Sequence, residues 1–136
     1  MTGLGLLGPK SMQEAYARAD VFVIPSLQEN FPNTMLESFA AGTPVVGFAA
    51  GGIASMIVEG QNGALAPAVD PWASEGSKAM AAVNLASAIL RVVQHPQGNL
   101  LRAMAYQSLE QVRPERVAKE YTDLIHAMLQ NSSQSL

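Results

Sequence analysis

The amino-acid sequence predicts an α/β fold: a partial parallel sheet of about four strands with flanking helices and a helical C-terminal region. Short apolar runs such as residues 21–24 stand between segments of helical character as far as about residue 66. Because these runs are apolar throughout instead of alternating, they predict strands that are covered on both faces, as in parallel sheets. From residue 79 onward the apolar residues recur at helical spacing, which predicts helices alone.

Four runs are predicted as strands, and the first two are followed by residues that interrupt extended backbone. They cover residues 3–7, 21–24, 44–48 and 64–66. Gly8-Pro9 follows the first run and Pro25 follows the second. The run at 21–24 is rich in β-branched and aromatic side chains, which favour strands.

Helices are predicted over residues 11–19, 34–41 and 54–58. Ser11 and Thr34 each precede a glutamate by three residues, which is the spacing of a capping box. Gly42 is a natural helix stop. Residues 49–52 and 60–63 are predicted as turns because of their glycines.

The remainder of the chain is predicted as an irregular connection followed by three helices. Residues 69–78 form the connection, and Asn84 is a possible N-cap of the next helix. A second helix covers residues 100–112, and Pro114 opens the third. We expect one domain over residues 1–130 and a flexible polar tail over 131–136.

Composition excludes several classes of protein. Lys and Arg total 8 and Asp and Glu total 11 in 136 residues, so the formal net charge of −3 argues against a nucleic-acid partner. Charged residues are 14% of the chain, against about 25% in typical soluble domains. Hydrophobic residues are 49%, so the chain can fold, and the surplus of apolar surface suggests a covering partner.

Targeting and redox features are few. The chain has no cysteine, which excludes disulfides and thiolate metal sites and fits a reducing compartment. The first ten residues lack the pattern of a signal peptide. No apolar stretch reaches about 18 uninterrupted residues, so no membrane span is predicted. We therefore expect a cytoplasmic protein.

The segment from Pro25 to Val46 carries the chemistry. It has the order strand, loop, helix, glycine stop, strand, and ligands of open α/β sheets bind beyond the carboxyl ends of the strands. The backbone N–H groups at the start of the helix suit a phosphate. A carboxylate at Glu29 in the loop can accept hydrogen bonds from sugar hydroxyls, and Glu37 could reach ribose hydroxyls.

Each of these residues also has a plain structural interpretation. Glu37 could simply complete a capping box with Thr34. Thr34 would then be an N-cap residue instead of a ligand contact. Glu29 could be a solvated loop acid. Gly51 and Gly52, in a turn near the site, could supply only positive φ angles.

Taken together, the segment resembles the donor-binding signature of retaining glycosyltransferases of family four, whose architecture is called GT-B. Seven residues separate Glu29 from Glu37, with Pro25-Ser26 upstream and Gly42-Thr43-Pro44-Val45-Val46 downstream. Gly51-Gly52-Ile53 and Asn62-Gly63 extend the match. The resemblance covers nearly the whole chain, is most specific over residues 20–63, and implies a Rossmann-like sheet.

The resemblance implies roles for single residues. Glu29 would contact the donor sugar, and Glu37 the ribose of the nucleotide. Thr34 would lie at the phosphate-facing start of the helix. The sugar and diphosphate would be lined by Asn30, Phe31, Pro32 and Asn33. No catalytic residue, metal or cofactor is assigned: the donor substrate is a nucleoside-diphosphate sugar, used in polysaccharide or glycoconjugate synthesis, and its sugar would be transferred with retention.

The resemblance also implies that much of such an enzyme lies outside this sequence. The loop has Phe-Pro-Asn where many members have Phe-Gly, and Ala54-Ser55 stand where many have Pro-Glu. The basic residues that neutralise the diphosphate and the whole N-terminal domain are not found. We therefore expect a chain that is inactive alone or works with a separate N-terminal partner. The alternative is a non-enzymatic dimeric assembly module, a remnant of a glycosyltransferase.

In the sheet of the family that this sequence resembles, two further strands lie between the first and the second predicted strand. These two strands are not found in this sequence. Unpaired buried backbone groups are costly, so two arrangements are sensible. Residues 3–7 could shift to pair with residues 21–24, or two copies could pair along exposed edges or exchange segments. We expect the second arrangement, a homodimer.

Overall fold

The computed structural model describes residues 3–70 and 74–133, with side chains to residue 130. Strands and helices alternate in the first half of the chain and helices alone follow. The elements are α1 (Pro9–Arg18), β1 (Phe22–Ile24), α2 (Asn33–Ala40), β2 (Val45–Phe48), α3 (Gly51–Met56), β3 (Gly63–Ala66), α4 (Glu75–Val93), α5 (Gly98–Gln107), a 3₁₀ helix (Ser108–Val112) and α6 (Pro114–Ser133).

The strands form one parallel sheet in the order β1-β2-β3. Phe22 of β1 pairs with Val45 of β2, and Val46 of β2 pairs with Ala64 of β3. The predicted fold class, a parallel sheet with flanking helices, is thereby confirmed. The described sheet has three strands where about four were expected.

Helices cover both faces of the sheet. Neighbouring residues of a strand point to opposite faces, and β2 shows this: Val45 and Val46 are both fully buried but belong to different apolar clusters. One cluster joins β2 and β3 to α4, and the other joins β1 and β2 to α2 and α3. The uninterrupted apolar runs of the sequence therefore reflect burial on two sides.

The prediction of a strand over residues 3–7 is wrong. Leu4 is 66% exposed and Leu6 is fully exposed, and Gly5 has a φ of +66°, outside the extended region. The segment consists of glycine and leucine, which favour strands less than β-branched residues do. Within the described residues β1 pairs with β2 alone, so the proposed pairing of residues 3–7 with residues 21–24 is also wrong.

Both predicted capping boxes are wrong as well. α1 begins at Pro9 with Gly8 as its N-cap, and glycine has no side chain to cap with. α2 begins after Pro32, whose ring has no hydrogen-bonding group. Ser11 and Thr34 therefore lie inside the first turns of their helices. At the start of α1, Pro9 supplies a helix-compatible φ angle, whereas Pro32 precedes α2 in an extended conformation.

Other element boundaries shift with the local chemistry. α4 begins at Glu75, so Asn84 lies inside the helix and is no N-cap. The alanines of residues 79–82 are strong helix formers, and Lys78 pairs with Glu75 at 2.5 Å. Residues 71–73 of the predicted connection lie outside the described residues. Pro114 opens α6 as predicted, and this helix reaches Ser133, inside the predicted tail; residues 134–136 are not described.

Among the residues that the structure describes, one helix, α4, is long and apolar enough to cross a membrane by length and composition, with 17% of its most apolar window buried. A single helix of this kind is weak evidence for a membrane protein. In this fold α4 packs against β3 and β2.

The turn before β3 is held by the side chain of Asn62, which is 2% exposed. Its Oδ1 accepts a hydrogen bond from the Val58 N–H at 2.7 Å. Its Nδ2 donates to the Met56 carbonyl at 3.0 Å and to the Ser108 hydroxyl at 2.8 Å. The amide thus joins α3, β3 and the 3₁₀ helix.

We expect the substitution Asn62→Ala to lower the free energy of unfolding by about 2–3 kcal/mol, since it leaves buried polar groups without partners. Urea unfolding followed by circular dichroism measures the change. Gln61→Ala, at the exposed neighbouring position, is the control and should change stability by less than about 0.5 kcal/mol. An equal effect of both substitutions would contradict this role for Asn62.

Candidate functional site

The loop between β1 and α2 is held in place by two glycines. The Gly52 N–H donates a hydrogen bond of 2.6 Å to the carbonyl of Glu29. A Cβ atom at Gly52 would lie 1.5 Å from the Asn30 carbonyl oxygen, and one at Gly51 would lie 2.6 Å from the Glu29 carbonyl oxygen. Gly51 has a positive φ of +51°, as the interpretation as a turn requires. The two glycines are also the first two residues of α3, and because they have no Cβ atom the backbone of the loop can approach this helix. Their role is therefore more than that of a turn.

The loop borders a solvent-accessible cleft of about 690 Å³, here called the loop cleft. Glu29 is partly buried in its wall, and Phe31 presents a ring that is 51% exposed. The other lining residues are Leu27, Gln28, Asn30 and Gly51. A carboxylate, two amides and an aromatic face are groups that can hold a sugar ring, through its hydroxyls and through its apolar face.

The start of α2 lies next along the chain. Pro32 is buried and anchors the end of the loop, whereas Asn33 and Thr34 are exposed. The first N–H groups of a helix have no partner within the helix, and they carry its positive dipole end. The Met35 N–H already donates to the Pro32 carbonyl at 3.0 Å, so the donors that α2 presents to solvent directly after the loop cleft are those of Asn33 and Thr34.

Glu37 does not bond to the start of its own helix. Its Oε2 accepts a hydrogen bond from the hydroxyl of Tyr16, at 3.3 Å. Burial raises the pKa of the Tyr16 hydroxyl, and the negative charge of Glu37 and this hydrogen bond raise it further. The interpretation of Glu37 as half of a capping box is wrong, because its partner comes from α1.

A second cavity, of about 470 Å³, lies between α1 and α2 and is here called the α1–α2 cavity. Its walls are mainly apolar, with the Glu37 carboxylate, the Tyr16 ring and the Gln13 amide among them. The other lining residues are Leu7, Pro9, Met12 and Ala40. Sequence reasoning missed this cavity; the available signal was the helical spacing of Met12, Gln13 and Tyr16, which places them on one side of α1.

The structure thus divides the predicted site residues between two cavities. Glu29, Asn30 and Phe31 line the loop cleft, and Glu37 lines the α1–α2 cavity. Among residues 3–70 and 74–130, those that line these two cavities include no lysine or arginine. The described residues also contain no group of three or more His, Cys, Asp or Glu side chains that could hold a metal ion.

Tyr16 lines the α1–α2 cavity and also makes contacts that stabilise the fold. Its ring meets that of Phe22 edge-on with 5.3 Å between centroids. Its carbonyl accepts a hydrogen bond of 2.7 Å from the hydroxyl of Thr43, which is fully buried. The residue therefore connects α1 to the sheet and to α2.

We expect Tyr16→Phe to keep the fold and to remove one pH-dependent contribution to stability. The pKa of Tyr16 is higher in the folded state than its ordinary value of 10.0, so its contribution is complete below that pH and is lost as pH rises above it. Wild-type protein should therefore lose more stability between about pH 9 and 11 than the variant does. Urea unfolding at both pH values measures this, and equal losses would contradict the assignment.

The family model described as glycosyl transferases group 1 matches residues 2–95. The D-inositol 3-phosphate glycosyltransferase of Corynebacterium diphtheriae is 39% identical over 67 residues, which is 48% of this chain and 16% of that protein. Sulfoquinovosyl transferase SQD2 of Arabidopsis thaliana is 44% identical over 59 residues, 43% of this chain and 12% of that protein.

A solved structure has the same fold. It is the pneumococcal O-GlcNAc transferase GtfA in complex with UDP and GlcNAc, with a TM-score of 0.66 and 24% sequence identity. The match covers 87% of this chain and 23% of that protein. The matched part of this chain thus corresponds to less than a quarter of the length of each of these proteins.

Proposed function

The chain belongs to the glycosyl transferases group 1 family, and from this we propose that it is the donor-binding part of a glycosyltransferase that uses a nucleoside-diphosphate sugar. One observation carries the proposal. Glu29 and Glu37 line two open cavities, and the exposed first two residues of α2, Asn33 and Thr34, lie between them along the chain. This order matches the order of sugar, diphosphate and nucleoside in such a donor.

The sugar is assigned to the loop cleft. Glu29 accepts hydrogen bonds from sugar hydroxyls, and the exposed ring of Phe31 covers an apolar face of the sugar. Charge-assisted hydrogen bonds of this kind are the strong ones, so Glu29 fixes the orientation of the ring. Gly51 and Gly52 support this arrangement by holding the backbone of Glu29 and Asn30.

The diphosphate is assigned to the start of α2, beside Asn33 and Thr34. The unpaired N–H groups and the helix dipole stabilise negative charge there. No lysine or arginine stands among the described lining residues, so one helix end must hold two phosphates. Binding to this chain alone is therefore weak, and the further positive charge comes from another part of a longer protein or from a separate N-terminal chain.

The nucleoside is assigned to the α1–α2 cavity. The Glu37 carboxylate accepts hydrogen bonds from ribose hydroxyls, and the Tyr16 hydroxyl orients that carboxylate. The apolar wall formed by Leu7, Pro9 and Met12 suits the face of a base, and the Gln13 amide can read its edge. The presence of UDP in the solved relative supports a nucleoside diphosphate as the ligand.

In the complete enzyme the sugar passes to an acceptor hydroxyl with retention of configuration, without a cofactor. The developing charge on the leaving diphosphate is stabilised by the start of α2 together with groups from outside this chain. We propose that the chain alone lacks transfer activity for that reason. The second candidate function, an assembly module, is favoured by the outer edge of β1, which pairs with no other strand of the described residues, and it predicts no donor binding.

Calorimetric titration with UDP, GDP and a UDP-sugar tests the proposal. We expect saturable binding in the millimolar range, stronger for one base than for the other and weakened in Glu29→Gln only for the UDP-sugar. Glu115→Gln, in the first turn of α6, is the control and should leave binding unchanged. Absence of saturable binding for every nucleotide at about 10 mM would favour the assembly module instead.

A further inference from the structure

The outward side of α4 lacks the charge that a solvated helix face normally carries. Residues 79–90 contain no charged side chain, and the other side of the helix packs on the sheet through Ala81, Ala88 and Val92. Solvent-facing positions of a surface helix are usually polar or charged. The outer α4 face, which we define as Met80, Val83, Ala86, Ser87, Leu90 and Val93, is therefore apolar for a reason other than packing within this domain.

The residues of the outer α4 face are large at both ends and small in the middle. Met80 is 57% exposed, Val83 62%, Leu90 52% and Val93 51%, while Ala86 and Ser87 lie exposed between the two pairs. Helical spacing keeps all six on one side. If the helix is turned end for end about its centre, Met80 takes the place of Val93 and Val83 that of Leu90, so the face is complementary to itself.

We propose that a second copy of this chain docks on the outer α4 face, in an antiparallel, two-fold symmetric contact centred on Ala86 and Ser87. Small side chains at the crossing let two helices approach closely. The larger side chains on either side then pack against those of the other copy. A two-fold contact of this kind uses the same surface on both copies and closes the assembly at two chains.

Area and charge both fit a second copy. The exposed parts of the six side chains amount to roughly 500 Å² per copy, so a pair buries at most on the order of 1,000 Å², the size of a weak and reversible specific interface. The charges nearest the face are already paired within the chain, Lys78 with Glu75 and Arg91 with Glu59. No unpaired charge is therefore buried on docking. With so few basic residues beside it, the face suits a protein better than an anionic lipid surface.

The contact is independent of the proposed donor site. None of the outer α4 face residues is among those that line the loop cleft or the α1–α2 cavity. Both cavities therefore stay open in the dimer. The failure of either proposal leaves the other standing, since one is tested by association and the other by ligand titration.

Sedimentation velocity across protein concentration tests the contact. We expect wild-type chain to dimerise reversibly by about 100 µM, and Val83→Glu/Leu90→Glu to weaken dimerisation at least about 100-fold. Both changed positions are exposed, and circular dichroism checks that the fold is kept. Leu124→Glu, at an exposed leucine of α6, is the control and should leave the dimer intact. A monomeric wild type, or a dimer that survives the double substitution, would overturn the proposal.

Single cysteines test the symmetry, because the chain has no cysteine of its own. Cysteines from Ser87→Cys lie beside the two-fold axis and should form a disulfide-linked dimer on mild oxidation. Cysteines from Met80→Cys lie about 20 Å apart in the pair, beyond the reach of a disulfide. Equal cross-linking of the two variants would overturn the antiparallel arrangement.

A vesicle assay tests the alternative occupant. If the wild-type chain sediments together with phosphatidylglycerol vesicles, the outer α4 face is reassigned to a lipid surface.

Discussion

The substitution Gly52→Ala is expected to destabilise the chain by about 3 kcal/mol or more and to abolish donor binding. The added Cβ atom would lie 1.5 Å from the carbonyl oxygen of Asn30 and 3.1 Å from that of Glu29. Both obstacles are backbone atoms, which no rotamer change can move away. The loop must therefore leave α3, and the hydrogen bond from the Gly52 N–H to Glu29 is lost.

Thermal and urea unfolding measure the stability, and calorimetric titration with a UDP-sugar measures the binding. Gly98→Ala is the matched control, because Gly98 opens α5 and a Cβ atom there meets nothing within 4 Å. The control should be as stable as the wild type or slightly more so. A Gly52→Ala chain with wild-type stability and binding would show that the loop does not depend on this contact.

The second large effect is expected from Glu37. Glu37→Gln keeps the shape of the side chain but removes its charge, so UDP binding should weaken about 10- to 100-fold, the loss of a charge-assisted hydrogen bond. Stability should change little, because the carboxylate is exposed and an amide oxygen still accepts the Tyr16 hydrogen bond. Calorimetric titration with UDP gives the dissociation constant of the wild type and, for the variant, a constant or a lower limit that sets the ratio.

The Tyr16→Phe chain separates direct contact from positioning. If Tyr16 only orients the carboxylate, its substitution should weaken UDP binding less than Glu37→Gln does. Equal binding of UDP by wild type and Glu37→Gln would contradict the assignment of ribose to the α1–α2 cavity.

The sheet could be predicted because its residues have only one suitable environment. The β-branched and aromatic runs that became β1 and β2 fit a strand buried on both faces, and Gly42 supplies the positive φ of +67° that ends the preceding segment. The segment 3–7 was apolar too, but strand formation also needs a neighbour to pair with. That requirement depends on the whole topology, which local sequence does not contain.

The loop and the helix that carry the predicted site residues could be predicted, but the geometry of those residues could not. The positions of Glu29 and Glu37 in the sequence indicated the loop and the helix correctly. From the spacing alone, Glu37 could have been either a capping residue or a ligand contact. Its actual partner, Tyr16, is 21 residues away in sequence, so local spacing could not reveal it. The close approach of Gly52 to Asn30 was likewise hidden, since only the fold brings α3 beside the loop.

Chemical-shift mapping of the isotope-labelled chain tests the proposed donor site most directly. UDP should shift the backbone signals of Gln13, Tyr16, Glu37 and the first turn of α2, and a UDP-sugar should add those of Glu29, Asn30 and Phe31. Both sets should saturate together at millimolar ligand. Shifts that fall outside both cavities, or no saturable shift at about 10 mM of UDP, GDP or UDP-sugar, would contradict donor binding by this chain.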